Sequence, residues 1–209
     1  THTAPVLLQN RYDERDYGDA MQPRDYVPWM YARLADAVAK AWTTRAKGAV
    51  AWGLGSAVAG HNRRIVYRDG TAKMHGATAD PLFAGIEGYE DHAVHVLCFY
   101  DAQAHLKAAA LTLATTAQAE GGTKVSADFW GEVRSAIRAR HGDAVVVLGF
   151  CASAGDQTPR PQIARKAEER MAALRGLTRN GEIARRVACA FEDVASVIAG
   201  DIRADVQFA

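Results

Sequence analysis

The sequence predicts an α/β fold: a mixed sheet layered with helices, in a single domain over residues 1–209 that reads as part of a larger protein. The run Ala144-Val145-Val146-Val147-Leu148-Gly149-Phe150 is continuously apolar, the pattern of a strand covered on both faces. Stripes at helical spacing flank it, Phe129, Val133 and Ile137 before it and Ile183, Val187, Ala190, Val194 and Ile198 after it. Further strand-like runs interleave with these helices, which is the signature of layered α/β architecture.

In chain order, a first helix starts near Pro28, a residue suited to a first helical turn. Met30, Leu34, Val38 and Ala41 form its apolar face, and Gly48 closes it. A strand follows at Ala49–Gly55. Residues 60–92 are rich in glycine and read as loop, with one short strand at Ile65-Val66-Tyr67. Strands are expected over Ala93–Tyr100 and Leu106–Ala114. Ser126 reads as the N-cap of a helix reaching Arg140, with Asp128 in its first turn. After the strand at 144–150 comes a polar loop, 151–160, and then a helical tail with helices over 161–175 and 181–199, stopped by Gly200. Asp201–Ala209 alternates like a strand, and both chain ends read as cut from something longer.

Lys and Arg number 25 against 24 Asp and Glu, a net charge of +1 that gives no support to a nucleic-acid or membrane-surface partner. No apolar run reaches the roughly 20 residues of a membrane-spanning helix. The cysteines Cys98, Cys151 and Cys189 are far apart and form no disulfide framework. Cys98 and Cys189 read as small core residues, and most of the tryptophans as core or interface residues. His92 and His95 are expected on opposite faces of a strand, which disfavours a shared metal. His141 suits a helix C-terminus.

The loop Cys151-Ala152-Ser153-Ala154-Gly155-Asp156-Gln157-Thr158-Pro159-Arg160 leaves the buried strand. Its small residues let a ligand approach the backbone, and Asp156, Thr158 and Arg160 bring an anion, a hydroxyl and a cation together. By physics alone a tight turn with an Asx hydrogen bond explains it as well. Nothing local supplies a base for the hydroxyls of Ser153 or Thr158.

Val125-Ser126-Ala127-Asp128-Phe129-Trp130-Gly131, followed by a helix, a strand and Gly155-Asp156-Gln157-Thr158-Pro159, resembles the neutral and alkaline non-lysosomal ceramidases, with their "SADYPG"-like helix start and "GDxSPN"-like loop. Thr1-His2-Thr3-Ala4-Pro5 looks like the family's "HTHSGP" segment, and His61-Asn62-Arg63-Arg64 is similar to its Asn-Arg segment. The helical tail is closer to bacterial relatives of unassigned activity.

The resemblance implies a secreted or periplasmic zinc amidase that cleaves the N-acyl bond of a lipid-derived amide, with the remainder of the parent polypeptide as partner. It assigns catalytic roles to Thr158, in the family's serine position, to Asp156 and to His2. Asn62, Arg63 or Arg64, Gly155 and Gln157 fall in substrate-binding positions. The family's zinc ligands are not completed by this chain. One histidine falls before Thr1, a Glu and a Tyr fall beyond Ala209, and the stretch matching a "CHP" segment, Ala114-Thr115-Thr116-Ala117-Gln118, has no histidine. Zinc is therefore expected only in the full-length parent. The alternative is a non-catalytic binding or structural relative that has lost the zinc site. Thr1 offers a third reading, an N-terminal nucleophile with its own α-amine as base.

Overall fold

The structure, a computed structural model, describes residues 3–8 and 18–207. Its helices are α1 (Pro23–Thr43), α2 (Phe129–His141), α3 (Arg165–Leu174) and α4 (Arg179–Ile198). Its strands are β1 (Gly48–Ser56), β2 (His61–Asn62), β3 (Arg64–Tyr67), β4 (Ala72–Met74), β5 (Phe83–Ile86), β6 (Ala93–Asp101), β7 (Leu106–Leu113), β8 (Val146–Cys151) and β9 (Gln157–Thr158). Contacts divide the chain into two compact units, Ala4–Lys47 and Thr1–Thr3 with Gly48–Ala209.

In the first unit α1 begins at Pro23 rather than near Pro28, because Pro23 already offers the fixed φ and missing N–H that suit a first turn. Pro28 lies inside the helix, and no residue of α1 is buried. The expected stripe of Met30, Leu34, Val38 and Ala41 is not buried within this unit.

In the larger unit the main sheet has the order β1-β6-β7-β8. β1–β6 and β6–β7 are antiparallel, whereas β7–β8 is parallel, the chain crossing over through α2. The register sets Ala51 opposite Cys98, Cys98 opposite Ala109 and Ala109 opposite Val147, a row of buried side chains across the sheet. α2 and α4 cover this face, where Val133, Ile137, Val187 and Phe191 join the row in one core. Burial pushes the Cys98 thiol up to about 11. Close approach is allowed by glycine: a Cβ on Gly149 would sit 2.3 Å from the Trp130 ring, and one on Gly53 2.7 Å from Val194 Cγ1.

The opposite face of this sheet exposes Trp52, Leu54, Val146, Leu148 and Phe150. The expectation that 144–150 is covered on both faces is therefore corrected. Period 2 sends Val145, Val147 and Gly149 to the helices and their neighbours outward. Cys189 is exposed on α4 instead of buried, and Trp29, Trp42 and Trp52 are exposed while Trp130 joins the core.

Asp128, not Ser126, caps α2. Its carboxylate accepts the N–H groups of Phe129 (2.8 Å), Glu120 (2.9 Å) and Ala119 (3.2 Å), while the Ser126 hydroxyl accepts the Asp128 N–H. α3 begins at Arg165 rather than 161. Thr178 caps α4 through Gly181 N–H at 3.1 Å. Beyond α4 the expected terminal strand is a single bridge, Arg203 with Val50. The loop expected over 60–92 holds four short strands: β3, β4 and β5 form a sheet of order β4-β3-β5, and β2 pairs with β9. Among the described residues no helix is long and apolar enough to cross a membrane.

Candidate functional site

Because β7 and β8 run parallel, with Leu113 opposite Cys151, their carboxyl ends share one edge of the sheet. In open α/β sheets ligands bind beyond such carboxyl ends. The loops 114–118 and 152–156 both leave from this edge, joined by Ala152 N–H to Leu113 O at 2.8 Å. The second loop then enters β9, which pairs antiparallel with β2, His61 opposite Thr158 and Asn62 opposite Gln157.

Side chains lock this junction. Asn62 is fully buried; its Nδ2 donates to Asp156 Oδ2 at 2.7 Å and its Oδ1 accepts the Arg64 N–H at 2.9 Å. Gln157 Nε2 donates to Asp156 Oδ1 and to Tyr89 O, each at 3.2 Å. Arg63 N–H donates to Asp156 O at 2.8 Å, and its Nη2 to Gly155 O at 2.9 Å. Asn62, Arg63, Gly155, Asp156, Gln157 and Thr158 thus meet at one place. Arg64 does not join them: its guanidinium pairs with Glu87, whose hydrogen bond and charge raise its pKa. Of the two arginines that sequence left open, Arg63 contacts the loop and Arg64 does not.

His2 and Thr1 lie outside the described residues. Their neighbour Thr3 is tied to Ser126, its Oγ1 donating to Ser126 O at 2.9 Å and its O accepting Ser126 N–H at 3.1 Å.

Thr158 is fully buried, and its hydroxyl has no hydrogen-bond partner among the described residues. Gln157 Oε1, Arg63 Nε and the hydroxyls of Thr115 and Thr116 share that condition. A buried polar group that is left unpaired costs about 1–3 kcal/mol. A buried polar group without a protein partner calls for an ordered water, an ion or a chemical role.

Two residues went unassigned by sequence reasoning, His61 and Glu90. Glu90 Oε2 lies 3.2 Å from His61 Nδ1 and 3.3 Å from His92 Nε2, and its Oε1 accepts Asn62 N–H at 3.2 Å. The available signal was His61 beside Asn62, and the acid-histidine loop Glu90-Asp91-His92 just before a strand.

Zinc takes Cys, His and carboxylate ligands. Where the family resemblance places a histidine, the described donors are the Thr115 and Thr116 hydroxyls. Asp156 is committed to Asn62 and Gln157. Among the described residues no group of three His, Cys, Asp or Glu could hold a metal ion. The described residues do not fit a zinc site.

No family model and no curated protein matches the chain significantly. Among solved structures it is similar to the neutral ceramidase of Pseudomonas aeruginosa, with a TM-score of 0.54 and 17% identity over 78% of this chain and 25% of that one. A ceramidase complexed with C2 aligns with a TM-score of 0.47 and 18% identity over 71% of this chain and 22% of that one. The chain shares its fold with the neutral ceramidase and spans about a quarter of that protein's length.

Proposed function

We propose that this chain carries the catalytic loop of a ceramidase-like hydrolase that cleaves the N-acyl bond of a lipid-derived amide together with the remainder of its parent polypeptide. The observation that carries this reading is the seating of Gly155-Asp156-Gln157-Thr158 against Asn62 and Arg63 at the carboxyl edge of β7 and β8. The fold shared with a neutral ceramidase supports it.

In this reading Thr158 brings its hydroxyl to the scissile carbonyl. Asp156 and Gln157 hold the loop, and Gly155 admits the substrate beside the backbone. Arg63, which has no carboxylate partner among the described residues, supplies positive charge to the oxygen that becomes anionic. Asn62 orients Asp156, and His2 joins from the N-terminal segment. Water adds across the C–N bond, its hydroxyl to the acyl carbon and its proton to the amine. No step is assigned to zinc. By the same resemblance the parent is a secreted or periplasmic bacterial protein.

A specific observation favours a second reading, a non-catalytic relative: Thr158 has no exposed surface, and Thr115-Thr116 stand where the family has a histidine. Incubating the intact parent with an N-octanoyl amide and quantifying octanoate and free amine separates the two. The hydrolase reading expects both products in equal amounts, and a loss of about 100-fold or more in kcat/KM for Arg63→Ala. Absence of product, with no metal found in the purified parent, supports the second reading.

A further inference from the structure

A cavity of about 290 Å³ lies beside the β2–β9 pair, on residues that the proposed hydrolysis does not use. Val58, Pro159, Pro161, Ala172, Leu177 and Ile183 make its walls, contributed by the segments flanking β2 and β9, by α3 with its following turn, and by α4. It is roughly twice the ~150 Å³ cavity that accommodates benzene in a well-studied engineered protein. That volume suits a compact molecule.

Charged side chains also line the cavity, and each is already paired. Glu168 is held by Arg186 Nη2, and Glu169 by Arg179 at 3.3 Å. Glu182 accepts from Arg185 at 2.8 Å, Arg186 at 2.9 Å and Arg175 at 3.2 Å. An ion entering this cavity would lose its hydration without finding an unpaired countercharge, an unfavourable exchange. The walls therefore select an uncharged ligand.

His61 also lines the cavity. A carboxylate only accepts hydrogen bonds, so the Glu90 contact at 3.2 Å places the proton on His61 Nδ1 and leaves Nε2 as an acceptor. Nε2 has no hydrogen-bond partner among the described residues. Burial holds the imidazole below its ordinary 6.5, against the raising effects of Glu90 and of Glu168 on α3, while His92 adds to the lowering. At neutral pH the ring is therefore an uncharged acceptor.

We propose that this cavity is a binding site for a compact, uncharged molecule with an apolar body and one hydrogen-bond donor, such as a phenol, which donates to His61 Nε2. The site is distinct from the Thr158 loop in its ligand chemistry, and it stands whether or not Thr158 reacts.

The test titrates the 15N-labelled chain with 4-ethylphenol, ethylbenzene and 4-ethylbenzoate, following the His61 ring nitrogens and the amides of Ala172 and Leu177. Saturable binding of 4-ethylphenol that moves the Nε2 resonance is expected, with ethylbenzene about fivefold weaker, the worth of one hydrogen bond, and 4-ethylbenzoate weaker still. His61→Gln should narrow the gap between the phenol and ethylbenzene, while Ala172→Leu should weaken both by filling the cavity. No saturable shift with 4-ethylphenol overturns the proposal. So does equal binding of all three probes, or phenol binding that both variants leave unchanged while their spectra remain those of a folded chain.

Discussion

Asn62 and Asp156 stand 94 positions apart in the chain and meet through a hydrogen bond of 2.7 Å from Nδ2 to Oδ2. Asn62 has no exposed surface, so the amide is dedicated to this contact and to the Arg64 N–H that its Oδ1 accepts. Replacing Asn62 with Asp would set two carboxylates against each other at hydrogen-bond distance. Asn62→Asp is expected to lose about 2–4 kcal/mol at neutral pH and to recover part of it as acid protonates one member of the pair. Urea unfolding at pH 7 and at pH 4 measures both effects.

Gly149 gives a second prediction, on the helix-covered face of the sheet. A Cβ there meets three atoms of the Trp130 ring at 2.3–2.5 Å, and Trp130 is hemmed in by Phe129 at a ring separation of 5.3 Å. Gly149→Ala should destabilise by about 1–3 kcal/mol. Gly85→Ala, where the added carbon meets nothing within 4 Å, should cost far less in the same thermal melts.

The contrast between those glycines shows what a single sequence conveys about this fold. The strand over Val146–Cys151 and the stripes of α2 and α4 are legible because period 2 and period 3.6 report which side chains are buried. Pattern reports burial, though, and not which neighbour does the burying. It therefore missed that β8 is open on the side of Leu148 and Phe150, and that the α1 stripe of Leu34 and Val38 stays exposed. The bounds of α2 moved because Asp128, with three backbone N–H groups to satisfy, competes better for the cap than Ser126.

The candidate site was legible in part for a different reason. Gly155–Thr158 and Asn62–Arg64 are short polar segments whose residue types carry the resemblance, and β2 pairing with β9 brings them together. Glu90 was invisible because its role comes from a long-range contact: only the fold sets it against His61 and His92. The exclusion of Arg64 from the loop likewise depends on Glu87, a partner 23 positions away.

Two groups predict how stability responds to acid. Hydrogen bonds from Arg185 first, then from Arg186, outweigh burial and hold the Glu182 carboxyl at about 2, against an ordinary 4.5. A depressed carboxylate contributes stability that is complete above pH 4.5 and is lost as pH falls from there towards 2. His61 is also depressed, by burial, so its contribution is complete above 6.5 and declines as pH falls below that value. Denaturant unfolding from pH 7.5 to pH 2.5 should show both declines. Glu182→Gln should flatten the lower one and cost about 1–3 kcal/mol at neutral pH, since it leaves Arg175 and Arg185, both part-exposed, and Arg186 without their shared anion. His61→Gln should flatten only the upper one.

Thr158 joins the loop's structure to its proposed chemistry. Its hydroxyl is buried without a partner among the described residues, so exchange for the isosteric valine should keep the fold and hold or raise the melting temperature, by up to about 1–3 kcal/mol of stability. The decisive measurement is hydrolysis of an N-octanoyl amide by the intact parent carrying Thr158→Val or Thr158→Ser, with thermal melts of each variant. The account predicts that the serine variant turns over and the valine variant does not, the valine variant at least as stable as the parent and the serine variant about 1 kcal/mol less so. Undiminished turnover by a folded Thr158→Val protein would contradict it.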